Sequence, residues 1–153
     1  MSGFHVTAPE ALVVDALGLA QSHAPDAASR RTVVLGLAGG PGSGKSTLAT
    51  ALASAVSAQG IAAVSLPMDG FHFTSSELER RHLSDRKGAP ETFDADGLAA
   101  LLDAIRQPRS ASVWAPAYSR EQHEPAPFAI EVSPSVGLVI VEGNWLGLDA
   151  EAW

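Results

Sequence analysis

The stretch Thr32-Val33-Val34-Leu35-Gly36-Leu37-Ala38-Gly39-Gly40-Pro41-Gly42-Ser43-Gly44-Lys45-Ser46-Thr47 decides the fold. Its first part, Thr32 to Ala38, is a near-continuous apolar run, the pattern of a strand buried on both faces. Gly39 to Ser46 then match G-x-x-x-x-G-K-[ST] without a departure. Glycines let the backbone turn successive N–H groups into one concavity, which suits phosphate oxygens. A helix opening near Lys45 adds the partial positive charge of its N-terminus. Lys45 supplies a mobile cation for β- and γ-phosphates, and the Ser46 hydroxyl can ligate Mg²⁺. The motif follows a predicted strand and opens a predicted helix, as its mechanics require, so residues Gly39, Gly40, Pro41, Gly42, Ser43, Gly44, Lys45, Ser46 and Thr47 are read as a nucleotide phosphate site.

Outward from this loop, strands and helices alternate. Leu48, Leu52 and Val56 recur four apart on a helix from about Lys45 to Gln59, with Gly60 as its C-terminal glycine. Ile61 to Leu66 is a second short apolar strand ended by Pro67. Thr74-Ser75-Ser76-Glu77 is a capping box opening a short helix toward His82, and residues 84 to 93 read as a loop. Leu98, Leu101, Leu102 and Ile105 form one helical stripe, with Asp94 as N-cap. A Pro-rich segment holds two short strand candidates, Ser112–Ala115 and Phe128–Val132, and Val136 to Val141 is a further buried strand. Ahead of the loop, residues 9 to 22 read as a helix with Pro9 at its start, broken at His23-Ala24-Pro25-Asp26. Continuous apolar strands alternating with helices indicate an α/β fold with a parallel sheet. We expect one domain over residues 1–153, its nucleotide-binding core beginning at about residue 31.

Composition narrows the function classes. The 153 residues carry 10 basic and 17 acidic side chains, net −7, which argues against binding a nucleic-acid backbone. The two lysines, Lys45 and Lys87, both fall inside motifs. Absence of cysteine excludes disulfides, thiolate zinc sites and cysteine nucleophiles. His5, His23 and His82 show no metal-ligand spacing. The Met1–His5 start lacks the features of a signal peptide, and no apolar run approaches the ~18–20 residues of a membrane span. The expectation is a cytoplasmic protein with a small-molecule partner, without nucleic acid or membrane, and compatible with a homodimer.

A phosphate loop does not by itself separate kinases from GTPases or motor ATPases. Asp69 follows the second strand, where residues line the ligand crevice of a parallel sheet. It is either a group that takes a proton from a substrate hydroxyl or helps hold Mg²⁺, or simply the aspartate of an Asp-Gly turn. Glu142 ends the strand Leu138-Val139-Ile140-Val141, a position from which a carboxylate orients Mg²⁺. Arg86 and Lys87 form the densest positive cluster near the crevice, suited to the charge of a transferring phosphoryl group. Tyr118, Arg120 and His123 are candidates for a substrate pocket or plain surface. No Asn-Lys-x-Asp guanine element is present, which weakens a switch-GTPase reading.

Together these motifs resemble the phosphoribulokinase/uridine kinase family of P-loop kinases, which includes bacterial-type pantothenate kinases. The resemblance rests on Gly39–Thr47, Met68-Asp69-Gly70-Phe71-His72, Arg86-Lys87-Gly88-Ala89-Pro90-Glu91-Thr92-Phe93-Asp94, Pro116-Ala117-Tyr118-Ser119-Arg120 and Val141-Glu142-Gly143-Asn144-Trp145-Leu146. The Asp-Gly-Phe-His and Glu-Gly-Asn-Trp pieces look closest to a nucleoside/nucleotide kinase-like branch that includes fructose-transport-associated kinases. The resemblance implies a three-layer α/β/α P-loop NTPase fold and an ATP- and Mg²⁺-dependent transfer to a hydroxyl of a nucleoside, a pantothenate-like alcohol or a sugar. It implies Asp69 as catalytic base with Lys45, metal handling by Ser46 and Glu142, and substrate contacts from His72, Arg86, Lys87, Tyr118, Arg120, His123 and Asn144. Family members continue past the Glu-Gly strand into an arginine-bearing lid helix, two more strands and an adenine-contacting loop, whereas this sequence ends at Asp149-Ala150-Glu151-Ala152-Trp153. The expectation is therefore a core with its C-terminal strands missing: a fragment, or a shortened nucleotide-binding module without turnover.

Overall fold

The computed structural model describes residues 8–22 and 31–148. Three parallel strands form the central sheet: β1 (Val33–Ala38), β5 (Leu138–Gly143) and β2 (Ala63–Pro67), in the order β1-β5-β2. β5 pairs in register with both neighbours, so Glu142 lies between Leu37 and Pro67. Its side chains alternate between two cores as a pleat requires. Leu138 and Ile140 join the core built with α1 (Glu10–Ser22) and α2 (Lys45–Ala58). Val139 and Val141 join the opposite core, with α4 (Ala95–Arg106) and the hairpin of β3 (Val113–Ser119) and β4 (Glu124–Val132). The α/β layering read from the sequence holds.

β5 is buried at every position, as expected of a strand covered on both faces and both edges. β1 is not: Gly36 and Ala38 are exposed, because among the described residues its other edge has no neighbour. The expectation of a strand buried on both faces therefore fits β5 and fails for β1. β2 begins at Ala63, two residues later than predicted, and extends through Pro67, which an edge strand tolerates since the missing N–H costs no ladder bond there. The two strand candidates in the Pro-rich segment are longer than predicted and pair antiparallel, with a register shift between Ala115 and Ala117.

Local signals act where the chain places them. Thr74 accepts a hydrogen bond from the Glu77 amide (3.3 Å) to open α3 (Ser75–Arg80), and Asp94 accepts one from the Gly97 amide (2.9 Å) to open α4. The loop at 84–93 contains two single-turn 3₁₀ segments, Ser84–Arg86 and Pro90–Thr92. At the amino end of the sheet Arg109 donates to Thr32 Oγ1 (3.0 Å) and the Ser133 carbonyl (2.9 Å), tying the start of β1 to the β4–β5 connection. The helix breaker His23–Asp26, the Met1–His5 start and the Asp149–Trp153 end lie outside the described residues. No helix among the described residues is long and apolar enough to cross a membrane.

Candidate active site

The parallel sheet delivers the carboxyl ends of β1, β5 and β2 to one edge, where an open α/β sheet binds ligands. β1 ends in the Gly39–Gly44 loop, which passes through positive φ at Gly42 (73°) and Gly44 (87°). Gly44 is the N-cap of α2 and has no side chain to satisfy the first helical amides, which leaves them for an external anion. The loop is anchored by the Gly39 amide donating to the Gly143 carbonyl (3.3 Å). Lys45 Nζ folds back over it, donating to the Gly40 carbonyl (3.0 Å) and to Asn144 Oδ1 (2.8 Å).

Ser46, on the first turn of α2, donates its hydroxyl to Glu142 Oε1 at 2.7 Å. Glu142 is 5% exposed, an acid held at the end of an otherwise apolar strand. A hydroxyl and a carboxylate are hard oxygen donors, and Mg²⁺ takes one or two such ligands and completes its shell with water and phosphate. The donor set therefore fits a phosphate-bound Mg²⁺. It does not fit an all-protein cage, since the described residues contain no cluster of three or more metal-ligating side chains.

Asp69 stands exposed in the 3₁₀ turn Met68–Phe71 that directly follows β2. Two glycines let this turn pack closely. A Cβ on Gly70 would lie 2.3 Å from the Pro116 carbonyl oxygen, and one on Gly143 would lie 2.6 Å from Met68 Cβ. His72 follows, bridged to Phe93 and stacked on its ring at 3.9 Å, with the Tyr118 ring at 5.2 Å. Burial lowers the His72 pKa; Asp69 opposes the shift, Lys87 adds to it, and the Thr92 backbone opposes it. His72 Nδ1 is buried without a hydrogen bond among the described residues. Lys87 Nζ donates to the His123 carbonyl (2.9 Å) and lies 5.7 Å from the centre of the Tyr118 ring. Trp145 Nε1 donates to the Gly88 carbonyl (3.1 Å). Consecutive residues Asn144 and Trp145 thus hold the phosphate-loop lysine and the Lys87–Gly88 segment.

The sequence profile of the phosphoribulokinase/uridine kinase family matches residues 34–151. The chain belongs to this family. Uncharacterized protein YggC of Escherichia coli is 45% identical over 126 residues, covering 81% of this chain and 51% of YggC. Pantothenate kinase of Bacillus velezensis is 37% identical over 112 residues, covering 72% of this chain and 35% of that kinase. The chain thus spans about half the length of YggC and less of the pantothenate kinase. The crystal structure of a candidate fructose transport system kinase from Silicibacter sp. TM1040 superposes with a TM-score of 0.79 at 41% identity, covering 93% of this chain and 67% of that one.

The family motifs converge unevenly. Lys45 with Asn144 and Ser46 with Glu142 form two adjacent hydrogen-bonded pairs, so Asn144 bonds to the phosphate-loop lysine and not to the aromatic residues around His72. Asp69, His72, Lys87 and Tyr118 form a second group. Arg86 is exposed and paired with Glu91 at 2.7 Å. Arg120 and His123 are exposed in the β3–β4 turn, where His123 takes positive φ (55°) and contributes its carbonyl, not its ring, to Lys87. Trp145, Phe93, Gly70 and Gly143 escaped sequence reasoning as site residues. The glycines carried a signal in the Asp-Gly and Glu-Gly pairs beside candidate acids, but the two aromatic contacts span distant segments that no local pattern connects.

Proposed function

We propose that the protein is an ATP-dependent kinase that phosphorylates a hydroxyl of a small molecule. The observation that carries this reading is the Lys45–Asn144 and Ser46–Glu142 pairing at the same sheet edge that presents Asp69. The free amides at the start of α2 and the Lys45 ammonium bind and orient the β- and γ-phosphates. Ser46 and Glu142 would hold Mg²⁺, which when bound neutralises charge on those phosphates. Asp69 accepts the proton of the acceptor hydroxyl as its oxygen bonds the γ-phosphorus. The bond from that phosphorus to the β–γ bridging oxygen breaks, and ADP leaves with the bond's electron pair. The family's pantothenate kinase relative and the candidate fructose kinase structure support a hydroxyl acceptor.

Asp69→Asn tests the reading, since the amide keeps the shape of the carboxylate and cannot take the proton. The expected outcome is unchanged ATP binding by calorimetry with loss of acceptor-dependent ADP release. Undiminished turnover in Asp69→Asn overturns the assigned base. ATP binding by the wild-type protein without ADP release from any hydroxyl acceptor identifies instead a nucleotide-binding module without turnover.

A further inference from the structure

Four consecutive residues at the end of β5 each engage a different part of the site. Glu142 accepts from the Ser46 hydroxyl (2.7 Å). The Gly143 carbonyl accepts from the Gly39 amide (3.3 Å), and Gly143 lies so near Met68, the neighbour of Asp69, that a Cβ on it would be 2.6 Å from Met68 Cβ. Asn144 Oδ1 accepts from Lys45 Nζ (2.8 Å), and the Trp145 indole N–H donates to the Gly88 carbonyl (3.1 Å). The first three contacts serve the phosphate loop and the turn of Asp69. The fourth leaves them for the 84–93 loop.

Gly88 is the point at which that loop is gripped. Its φ of 100° is one that glycine takes without strain. Its amide donates to Thr92 Oγ1 (3.0 Å), which donates in turn to the Ala89 carbonyl (2.7 Å). Thr92 is fully buried, and its carbonyl accepts from the Phe73 amide (2.9 Å), while the Asp94 amide donates to the Phe71 carbonyl (2.7 Å). The loop therefore ends against the turn that carries Asp69. Residues 84–88 are exposed, so this stretch depends on hydrogen bonds to keep its place. The Trp145 ring is half-buried against the core that contains Met68 and Phe93. An indole packed in this way is a stiff arm with a single donor at its tip.

We propose that Trp145 is a positioning residue through which a nucleotide bound at Lys45 steadies the 84–93 loop, so that nucleotide and phosphate acceptor bind cooperatively. The acceptor half of this statement rests on the kinase reading above. An ammonium has three protons, and the Gly40 carbonyl and Asn144 Oδ1 take two of them. A phosphate oxygen is a stronger acceptor than the neutral Gly40 carbonyl, so phosphate binding pins Lys45 while Asn144 keeps its bond. Pinning Lys45 pins Asn144, and the next residue carries the indole that holds Gly88. A loop already ordered by the nucleotide costs the acceptor less to order, which is cooperativity without a change of shape. By reciprocity the acceptor tightens nucleotide binding by the same factor.

Amide hydrogen exchange reads the loop directly. The full chain would be compared free and saturated with Mg²⁺ and the β,γ-imido analogue of ATP, following the amides of Gly88, Ala89 and Thr92. In the wild type the analogue is expected to slow their exchange about 2- to 10-fold, the worth of one neutral hydrogen bond. Trp145→Phe keeps an aromatic ring and removes the donor, so it still binds the analogue while the nucleotide-dependent slowing disappears. Asn144→Ala at saturating analogue loses the slowing with its indole intact, and so tests the same path should Trp145→Phe not fold. A Trp145→Phe protein that exchanges faster when free yet keeps the wild-type ratio has lost a merely structural tie, which overturns the proposal. A wild-type loop unmoved by bound analogue overturns it as well, and an analogue that does not bind overturns this proposal and the kinase reading together. With whichever of pantothenate, uridine or fructose releases ADP, the wild-type KM for the acceptor falls as MgATP rises, and in Trp145→Phe it no longer does. An acceptor KM independent of MgATP in the wild type overturns the cooperative step and leaves the kinase reading standing. With no ADP released from any hydroxyl acceptor the kinase reading falls, and the exchange ratios alone decide the tie.

Discussion

Asn144 offers a quantitative test of how the phosphate-loop lysine is prepared. Its Oδ1 accepts from Lys45 Nζ at 2.8 Å in a partly buried setting, while the Gly40 carbonyl holds the same ammonium at 3.0 Å. Asn144→Ala removes one neutral acceptor, worth about 0.5–1.5 kcal/mol, and so weakens ATP about 2- to 10-fold. Asn144→Asp keeps the shape and places a negative charge on the ammonium. At that separation the gross attraction runs from about 1.5 kcal/mol in bulk water to about 6 kcal/mol at an effective dielectric near 20. Exposed pairs realise only about 0.2–1 kcal/mol of such attraction, and partial burial moves this one above that range. ATP must compete with the new pair and also approach a carboxylate, so the combined penalty is about 1.5–3 kcal/mol, or about 10- to 150-fold in Kd. Calorimetric titration of MgATP at two salt concentrations, with Tm of the free protein alongside, provides the assay. The expected order of affinity is wild type, then Asn144→Ala, then Asn144→Asp, with the last deficit shrinking at high salt and its Tm undiminished. Wild-type affinity in Asn144→Asp refutes the idea that this side chain governs the lysine.

Gly143→Ala would drive a Cβ to 2.6 Å from Met68 Cβ and 2.7 Å from its sulfur. Overpacking of this kind costs about 1–3 kcal/mol, which lowers Tm by about 3–10 °C in a chain of this size; an unchanged Tm shows that the turn carrying Asp69 is not pinned there. His72 gives a pH signature. Its pKa in the folded protein lies below the ordinary 6.5, so between those two values the unfolded chain binds more protons and stability falls as pH falls. His72→Phe should flatten Tm across that window, measured by thermal melts from pH 7.5 downward; an unaltered slope assigns the acid loss to other groups.

The legibility of the site follows the range of the interactions that make it. The Gly39–Ser46 loop is a local device, in which glycine conformational freedom and a helix start suffice, and the structure has it where the motif stands. The Thr74 and Asp94 caps are likewise three-residue interactions. Asn144 belongs with Lys45 through a hydrogen bond spanning 99 residues, and Trp145 reaches Gly88 across 57. No periodicity encodes such pairs, because they depend on β5 inserting between β1 and β2.

The sequence by itself determined the α/β class, the phosphate loop and the two acids at strand ends, because each follows from backbone preference or from apolar runs of strand length. Tertiary structure alone decided strand order, and with it which strand is buried. β5 takes the middle and loses all contact with solvent, while β1, equally apolar to read, remains half-exposed at an edge of the described sheet. It also decided the partners of the charged side chains. Arg86 pairs with Glu91 and Lys87 with a carbonyl, although both residues stand side by side in the same motif, because charge compensation depends on distance in space and not on position along the chain.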